Sequence, residues 1–540
     1  MARATESRRP RRAAKPDVIE SRDPATGGLV GTVPVTPPDE VAGIAEEVAR
    51  VQRAWAPVPL AERCRIVERA VEVLLRRYEE LALAVTRENG KTLMESTAAD
   101  VGSLVAAVDW IARHGRRYLS PERVRDPQPI LKHKRHWIRY SPLGVVGIIA
   151  PWNYPLLLPG GEVAEALVAG NGVLLKPSEH TPLCGDLLAE VFLEAGVPEG
   201  LLRVIHGVGP TGAALCEAPA VRKIFFTGSV ATGRKVMETA ARHGKPVVLE
   251  LGGNDPAIVC ADADLDRAVA GTLWGAMCSA GHTCAAVERV YVDRAVYDEY
   301  VARVVERARG MRVGDGRDPD TQIGPLLNED QYAKAMAHVD DAVAHGAKVE
   351  CGGPTDVAGQ AGWFLAPVVL TGVDHSMEVM REETFGPVLP VMAFDDEQQA
   401  VALANDTRYG LGASVWTRDA RRGRRLARQI DAGMVWINDH AYSRAAAQTP
   451  WGGVKDSGTG VTHSKFGLYE MVDKRLVAED SGRVPVGWWY PYDEARRRGF
   501  AAVIEALYSP GVAGKARSAL RRRDDLTAFF RKLFRQKPGR

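Results

Sequence analysis

The amino-acid sequence predicts an α/β protein built around doubly wound parallel sheets. From about residue 143, short apolar runs typical of buried strands alternate with helical patterns of about 10–15 residues. Strands separated by such helices pair in parallel through right-handed crossovers. The chain has 540 residues, which is too long for a single core, and its 46% apolar and 26% charged residues are typical of globular proteins. We therefore expect more than one globular domain.

The predicted elements follow one another in a regular order. Two leading helical patterns, Asp39–Trp55 and Leu60–Val85, repeat apolar residues at i, i+3 and i+4. The alternation then predicts strand Val145–Ala150, helix Gly161–Ala169, strand Gly172–Leu175, helix Leu183–Ala195, strand Leu202–His206, helix Ala213–Ala218, strand Lys223–Phe226, helix Gly233–His243 and strand Pro246–Glu250. Up to residue 250, this order indicates one doubly wound sheet.

Other segments complete the predicted organisation. A second α/β stretch begins near Asp255 and runs to about Asn438, which predicts a second domain of the same class. The extended segments Ile130–Tyr140 and Arg475–Val477 lie outside both alternations, so we expect them to form a small sheet of their own. Beyond Ser481 the composition changes again.

Charge and cysteine content narrow the class of protein. The net charge of +2 argues against a nucleic-acid partner. The seven cysteines are scattered without a C-x-x-C pair, which suits a reducing, cytoplasmic compartment and no metal site. Residues 1–17 are basic and lack an apolar segment, so they predict a disordered tail rather than a signal peptide. The most apolar run, Leu143–Leu158, is interrupted by Pro151, Asn153 and Pro155, which argues against a membrane span.

Three segments at predicted strand ends are candidate cofactor-binding sites. Residues 207–212 spell the dinucleotide fingerprint G-x-G-x-x-G but lack the acidic residue expected about 20 positions later. The loop Gly228–Gly233 opens a helix, whose free N–H groups and Ser229 hydroxyl can bind a phosphate or simply cap the helix. Lys176 and Glu179 follow another strand of the same sheet, where they could contact ribose hydroxyls.

One of the cysteines is a candidate nucleophile. Cys284 lies in a loop of small residues, Ser279–Ala286, that would leave a thiolate room and exposure. A cysteine is intrinsically very nucleophilic even though only a few per cent is thiolate at neutral pH. The alternative for any one cysteine is a small buried apolar residue. We assign that role to Cys278, which follows Met277 on a predicted helix.

Two polar residues at strand ends are candidates for acid–base and oxyanion chemistry. Glu250 closes a very apolar strand, where partial burial would raise its pKa towards that of a useful general base. Asn153 ends the first strand of the sheet, and its amide could donate to an oxyanion. An ordinary turn before Pro155 is the alternative explanation for Asn153.

Taken together, the motifs identify the chain as resembling the aldehyde dehydrogenase superfamily over about residues 18–480. Six motifs occur in the order and at the spacing of that family: APWNYP (150–155), KPSE (176–179), FTGSVATG (226–233), LELGGNDP (249–256), GHTC (281–284) and EETFGPV (382–388). The resemblance implies two doubly wound α/β domains and a small sheet that is completed by a partner subunit, hence a homodimer or homotetramer.

The resemblance also implies a role for each site residue. Cys284 would be the nucleophile, Glu250 the general base and Asn153 the oxyanion donor, with no metal. The cofactor, NAD or NADP, would contact Trp152, Lys176, Glu179, Gly228, Ser229, Gly233, Glu383 and Phe385. Within that set, Lys176 and Glu179 would bind the adenine ribose, the loop 228–233 the pyrophosphate region, Glu383 the nicotinamide ribose and Phe385 the nicotinamide. The fingerprint at 207–212 would lie near the cofactor without being its main phosphate site. One departure is His282, where many members have glutamine.

The resemblance implies a domain plan as well. The plan consists of a basic tail (1–17), a cofactor-binding domain (18–250, interrupted by an oligomerisation segment at about 126–143), a catalytic domain (251–438), an oligomerisation and return segment (439–480) and a C-terminal extension (481–540).

The reaction implied is oxidation of an aldehyde to a carboxylic acid through a Cys284 thioester that water hydrolyses. A relative that passes the acyl group to coenzyme A is the first alternative, but such enzymes typically lack the Glu250 base. An inactive scaffold is the second, against which the intact catalytic set argues. For the substrate, the motif at 436–453 favours an apolar, medium- or long-chain aldehyde, with succinate semialdehyde as the alternative. Glu179 favours NAD, because it would repel a 2′-phosphate.

The C-terminal tail predicts a basic amphipathic helix. Residues 515–540 contain ten Lys or Arg and two acidic residues. The apolar residues Leu526, Phe529, Phe530, Leu533 and Phe534 fall at i, i+3, i+4, i+7 and i+8, on one helical face. This pattern is typical of a helix that lies in a membrane interface and tethers the enzyme peripherally. The alternative is that the stripe packs on the enzyme's own surface or on a neighbouring subunit.

Overall fold

The computed structural model describes residues 18–125, 131–483 and 485–535. The predicted tail at residues 1–17 lies outside that part. Within the described residues, contacts divide the chain into two units. The first comprises residues 18–120 and 141–473, and the second comprises residues 121–125, 131–140, 474–483 and 485–535.

The first unit contains a six-stranded sheet that corresponds to the predicted cofactor-binding domain. Neighbouring strands are parallel except at one edge, where Gly458–Thr459 runs antiparallel to Val247–Glu250. The strands lie in the order Gly458–Thr459, Val247–Glu250, Val221–Thr227, Val145–Ile149, Gly172–Lys176 and Leu202–Val204. The accompanying helices are Val41–Trp55, Leu157–Ala169, Pro182–Glu194, Gly209–Glu217 and Val230–Arg242. Two interior strands, Val145–Ile149 and Gly172–Lys176, are buried throughout, as expected for a sheet with helices on both faces.

A seven-stranded sheet forms the second α/β part of the first unit. It is parallel except for its edge strand, Lys348–Pro354, which is antiparallel to Leu365–Thr371. The strands lie in the order Lys348–Pro354, Leu365–Thr371, Val388–Phe394, Val287–Asp293, Asp255–Val259, Gly412–Trp416 and Met434–Ile437. The main helices here are Leu265–Met277, Tyr297–Arg309, Glu329–Ala344, Glu397–Asn405 and Ala420–Ala427. The predicted fold class is confirmed by both sheets.

The leading helical region differs from its prediction. The pattern at Leu60–Val85 forms two helices, Leu60–Arg76 and Tyr78–Asn89, because the backbone leaves helical geometry at Arg77 (φ −106°, ψ 12°). No glycine or proline marks the break. The Arg77 guanidinium makes ion pairs with Glu80, Glu190 and Glu194, so tertiary partners hold the turn.

Two helices also begin earlier than predicted. The helix predicted from Gly161 begins at Leu157, and the one predicted from Ala213 begins at Gly209. Each carries a proline in its first turn, Pro159 and Pro210, where the missing N–H group has no helical acceptor to lose.

The second unit contains the small sheet and three helices. The sheet has the order Val472–Asp480, Lys134–Pro142, Glu122–Val124, and includes the extended segments that the sequence set apart. The helices are Glu494–Tyr508, Gly511–Arg521 and Arg523–Arg535. No helix in the described part of the chain has the length and apolarity that a membrane crossing requires.

The predicted apolar stripe of the last helix is divided. Phe529, 1% exposed, packs against Gly499 and Phe500 of the helix Glu494–Tyr508, and Leu533 is also buried. Phe530 and Phe534, by contrast, are 42% and 65% exposed and stack on each other. Packing on the protein's own surface therefore buries two of the five stripe residues, Phe529 and Leu533.

Candidate active site

The pocket between the two sheets of the first unit brings together the three predicted catalytic residues. Asn153 follows one strand of the six-stranded sheet, and Glu250 ends another. Cys284 lies in the loop that precedes the strand Val287–Asp293 of the seven-stranded sheet. All three side chains line one pocket, together with Glu383 and Phe385.

Close backbone contacts position the Cys284 loop. Residues 279–281 have φ angles of 59°, 53° and 79°, so the chain turns sharply just before the nucleophile. A side chain at Gly281 would lie 2.2 Å from the Gly386 carbonyl oxygen, and one at Gly253 would lie 2.3 Å from the Cys284 carbonyl oxygen. The three motifs that contain these glycines can therefore pack together only because the glycines have no side chain.

The electrostatic surroundings of Cys284 keep its thiol protonated. Burial, followed by the negative charges of Glu383, Glu250 and Asp255, raises the pKa of Cys284 to about 12. The thiolate is the reactive form. A nucleophilic role for Cys284 would therefore need a proton acceptor, and Glu250 lines the same pocket.

Glu250 is a buried carboxyl group without a partner. The residue is 6% exposed, and neither carboxylate oxygen has a hydrogen-bond partner among the described residues. Burial, and then the negative charge of Glu162, raises its pKa well above the usual value. An unpaired buried carboxyl is costly for a fold, so its presence at the end of an apolar strand indicates a chemical use.

Asn153 is held by residues that the sequence interpretation missed. The Lys91 ammonium donates to the Asn153 carbonyl oxygen at 2.5 Å, and Asn89 donates to the Trp152 carbonyl oxygen at 3.0 Å. Asp100 pairs with Lys91 at 3.1 Å and accepts from the backbone N–H groups of residues 156 and 157. Lys91 and Asp100 therefore hold both sides of the Asn153 turn.

These two positioning residues have little signature in the sequence. Lys91 follows Gly90, which ends the helix Tyr78–Asn89 in a left-handed conformation and resembles an ordinary helix terminus. Asp100 lies in a short π-helix, Ser96–Gly102. Both side chains are completely buried. Only a pairing across the fold explains why their charges are tolerated there.

An adjoining cleft contains the predicted adenine-side residues. Lys176 and Glu179 line it and form an ion pair at 3.6 Å, with Lys176 buried and Glu179 partly exposed. Trp152, Gly228 and Ser229 line the same cleft, and the Ser229 hydroxyl caps the helix Val230–Arg242. The dinucleotide fingerprint at residues 207–212 is also close, since its glycines 209 and 212 line the cleft too.

Gly233 occupies a different position from its predicted neighbours. It does not line the cleft, and a side chain there would lie 2.5 Å from Leu251, the residue that follows the strand Val247–Glu250. Its role in cofactor binding stays a prediction.

An aromatic cluster includes Phe385, the residue predicted to contact the nicotinamide. Phe385 has a φ of 55°, and its ring meets that of Trp152 edge-on with a centroid separation of 5.3 Å. His282 packs against both rings, and burial lowers its pKa to about 3. His282, which replaces the glutamine of many family members, is therefore a neutral aromatic ring. Glu383 accepts a hydrogen bond from the Gly253 N–H at 3.1 Å.

A buried cation lies behind the nucleophile loop. Arg444 donates to the Tyr154 hydroxyl at 2.7 Å, and that hydroxyl is 2.9 Å from the hydroxyl of Thr283, the residue before Cys284. Arg444 also contacts the sulfur of Cys278, which is buried as predicted for a structural cysteine. The sequence interpretation missed Arg444, because an arginine in a loop is usually exposed.

Comparison with known proteins shows the family of the chain. Betaine aldehyde dehydrogenase of Cereibacter sphaeroides is 40% identical over 461 residues, or 85% of this chain and 93% of the relative. The 4,4'-diapolycopene aldehyde oxidase of a Methylomonas species is 37% identical over 495 residues, or 91% of each chain. The solved structure of Staphylococcus aureus betaine aldehyde dehydrogenase in complex with NAD+ has a TM-score of 0.83 and 32% identity, and the match covers 88% of this chain and 94% of that one. A sequence model described as the aldehyde dehydrogenase family matches residues 11–477, and the chain belongs to that family.

Proposed function

We propose that this enzyme oxidises an apolar aldehyde to the carboxylic acid with NAD+ and water. The observation that carries the proposal is the single pocket lined by Cys284, Asn153 and the unpaired Glu250. Cys284 attacks the aldehyde carbon, and the oxyanion accepts from the Asn153 amide and the Cys284 N–H. Loss of hydride leaves a thioester on sulfur. Glu250 then takes a proton from the water that hydrolyses it, which divides a difficult oxidation into two easier steps.

The cleft fits a nicotinamide dinucleotide. A lysine–carboxylate pair suited to ribose hydroxyls and a helix N-terminus suited to phosphate line one cleft, and Phe385 lies beside Cys284. Bound NAD+ would accept the hydride that leaves the aldehyde carbon. Lys176, Glu179, Ser229, Glu383 and Phe385 would hold and orient the cofactor, and Trp152 would line its path.

The surroundings of Cys284 favour an apolar substrate over a cationic one. Cys284 packs against an apolar cluster that contains Trp436 and Trp451. The nearby Arg444 guanidinium stays charged and would oppose the quaternary ammonium group of betaine aldehyde. The name of the Methylomonas relative, which gives an aldehyde of 4,4'-diapolycopene, supports the same choice.

Catalytic efficiency should rise with the length of an unbranched aldehyde. Each methylene that becomes buried contributes about 0.8 kcal/mol, or about fourfold in kcat/KM, until the apolar wall is covered. Steady-state kcat/KM for aldehydes of two to ten carbons, for succinate semialdehyde and for betaine aldehyde tests this directly. A preference for betaine aldehyde would contradict the apolar assignment, and a preference for succinate semialdehyde would point to Arg444 as a carboxylate-binding group.

Adding coenzyme A to the same assay separates the two acyl acceptors. The hydrolytic route predicts free acid as the product and no acceleration by coenzyme A, because Glu250 activates water. Formation of acyl-coenzyme A would instead identify an acylating dehydrogenase. NADH production with any of these aldehydes excludes an inactive scaffold.

NAD should be preferred to NADP by at least about tenfold in kcat/KM. Glu179 is positioned beside Lys176, where it can accept from a 2′-hydroxyl but repels a 2′-phosphate by about 1.4 kcal/mol or more. Glu179→Gln should narrow the preference, whereas the surface change Glu217→Gln should leave it unaltered. A wild-type enzyme that favours NADP would overturn the assignment of Glu179.

We also propose that subunits associate through the small sheet into a dimer or tetramer.

We propose further that the last helix contacts an anionic membrane surface, where apolar aldehydes dissolve. Phe530 and Phe534 line an exposed groove with Arg523 and Arg531. Burial of each aromatic side chain contributes about 1.5–3 kcal/mol. Each basic residue adds about 1 kcal/mol near an anionic leaflet.

The double change Phe530→Glu, Phe534→Glu should reduce binding to anionic vesicles at least about tenfold, and salt should weaken wild-type binding. Phe466→Glu, which alters an exposed phenylalanine of the first unit, is the matched control. Co-sedimentation with phosphatidylglycerol and phosphatidylcholine vesicles measures both effects. Equal sedimentation of the double variant and wild type would exclude the tether. A change in oligomeric state without any vesicle binding would assign the groove to a second subunit.

A further inference from the structure

We propose that Glu162 and Glu165, with water between them, form a proton exit for the active site. They receive the proton that Glu250 takes from water during thioester hydrolysis and pass it to the protein surface. This inference rests on the hydrolytic function proposed above. The carboxyl groups act as relay residues and do not contact the substrate.

A small cavity connects these groups to the catalytic residues. Its walls include the catalytic candidates Cys284 and Glu250 together with Glu162, Glu165 and His463. The space open to water is about 20 Å³, enough for roughly one molecule. A single water could therefore bridge the carboxyl groups.

The helix Leu157–Ala169 builds one wall of the cavity with a single face. Four of its residues line the cavity, namely Leu158, Gly161, Glu162 and Glu165. They are spaced i, i+3, i+4 and i+7, which places them on one side of a helix. The two carboxylates therefore point into one space, although the helix is otherwise apolar and buried.

Polar atoms around the cavity lack partners within the described chain. Both oxygens of Glu250, Oε1 of Glu165 and Nδ1 of His463 are buried and make no hydrogen bond. Glu165 itself is only 2% exposed. Buried polar groups of this kind are normally satisfied by protein or by ordered water. Their convergence on one cavity is the observation that points to water and to proton transfer.

The outer end of the path reaches the surface through the helix Ser464–Glu470. A side chain at Gly467 would lie 2.3 Å from a carboxylate oxygen of Glu165. Glu165 can therefore pack against this helix only because residue 467 has no side chain. The charge of Glu470, at the end of the same helix, acts on Glu165. Glu470 is 33% exposed and forms an ion pair with Lys223, so a proton that reaches it has reached solvent.

The proton balance explains why such an exit is useful. In hydrolysis, the water oxygen bonds to the thioester carbon and one water proton goes to Glu250. The carbon–sulfur bond breaks, and its electron pair leaves with Cys284 as a thiolate. Over the whole turnover, oxidation of the aldehyde to the acid by NAD+ and water releases one further proton, because the hydride leaves the aldehyde without one. Glu250 must therefore discharge a proton once per turnover, while cofactor and product fill the cleft. The bridging water can accept that proton and release another to Glu162 or Glu165.

The charged groups that face the path set its dependence on pH. Glu250 faces Glu162, and Glu165 faces Glu162 and Glu470, while His463 and Cys284 complete the cavity wall. Burial of the His463 ring lowers its pKa to about 4. Burial and neighbouring negative charge raise the pKa values of Glu250 and Glu165. Because Glu250 works as a base only when ionised, hydrolysis should slow as the pH falls through its raised pKa.

The decay of the Cys284 acyl-enzyme tests the relay. The thioester is formed with hexanal and NAD+ in the full-length enzyme, and its loss is followed by intact-protein mass spectrometry. The NADH burst is recorded in parallel. We expect Glu165→Gln to slow acyl-enzyme decay about tenfold or more while leaving the burst rate within twofold. Glu162→Gln should slow decay as well and, by removing a negative charge beside Glu250, should move the midpoint of its pH profile to lower pH.

Two further variants and three contrary outcomes make the result decisive. Glu165→Asp should recover most of the hydrolysis rate, because it keeps a carboxyl on the cavity, and the surface change Glu190→Gln should have no effect. Acyl-enzyme decay within twofold of wild type in both glutamine variants would overturn the relay. An equal loss of burst and decay would also overturn it, because it would indicate general damage to the fold. A wild-type enzyme that releases its acyl group only to coenzyme A would instead refute the hydrolytic function itself.

Discussion

Replacing Cys284 by alanine should abolish aldehyde oxidation, with a loss of about 10⁴-fold or more in kcat. The residue supplies the electron pair that bonds to the aldehyde carbon, and no other cysteine lines that pocket in the described part of the chain. Binding of the cofactor should survive, because the adenine-side residues lie in the adjoining cleft. Steady-state NADH formation and NADH fluorescence titration together measure both outcomes.

Cys278→Ala is the matched control for that variant. The residue is buried, six positions earlier in the chain, and contacts Tyr154 and Arg444 instead of lining the pocket. We expect some loss of stability and a retained kcat within about tenfold of wild type. Substantial turnover by the Cys284→Ala enzyme would mean that the reaction does not pass through a thioester on this residue.

Glu250→Gln should uncouple the two halves of the reaction. The amide keeps the shape of the side chain but cannot accept a proton from water, so thioester hydrolysis should slow by about 10²–10⁴-fold. Hydride transfer should continue, since it depends on Cys284 and Asn153. Rapid mixing with aldehyde and NAD+ should therefore show one equivalent of NADH per site, followed by a stalled steady state.

The same variant tests whether Glu250 acts earlier. The surroundings of Cys284 raise its thiol pKa, so a base is needed before attack as well. If Glu250 alone takes that proton, the burst will be slow and will accelerate at higher pH, where the thiol ionises unaided. Absence of any burst across the pH range would show that the glutamate is indispensable before hydride transfer, which contradicts the assigned division of roles.

Much of the fold could be predicted from local pattern. The buried strands at Val145–Ile149 and Gly172–Lys176 are short apolar runs between helical segments, and parallel sheets covered on both faces require such runs. The division at Arg77 could not be predicted, because it depends on ion pairs with residues more than 100 positions away. A helical pattern records the buried face and carries no information about such distant partners.

The catalytic residues were predictable for a different reason. Cys284, Glu250 and Asn153 each lie in a short motif whose residue types and order match a known family, and the fold brings all three to one pocket. The glycines of those motifs are explained by contact, since Gly253 and Gly281 have no room for a side chain. Gly233 was assigned to the cofactor by the same motif logic; it packs closely against Leu251, and its cofactor role stays a prediction.

The amino-acid order alone thus identifies the fold class and predicts the nucleophile, the base and the oxyanion donor, because their chemistry is encoded in contiguous motifs. Only the tertiary structure shows which charged residues, distant in sequence, lie close together around the site. Lys91 and Asp100 hold the Asn153 turn, and Arg444 lies behind the nucleophile loop. Glu162 and Glu165 share the cavity of Glu250. A buried charge costs free energy that only its three-dimensional partners or a chemical role can offset, and neither is visible from the neighbouring residues in the chain.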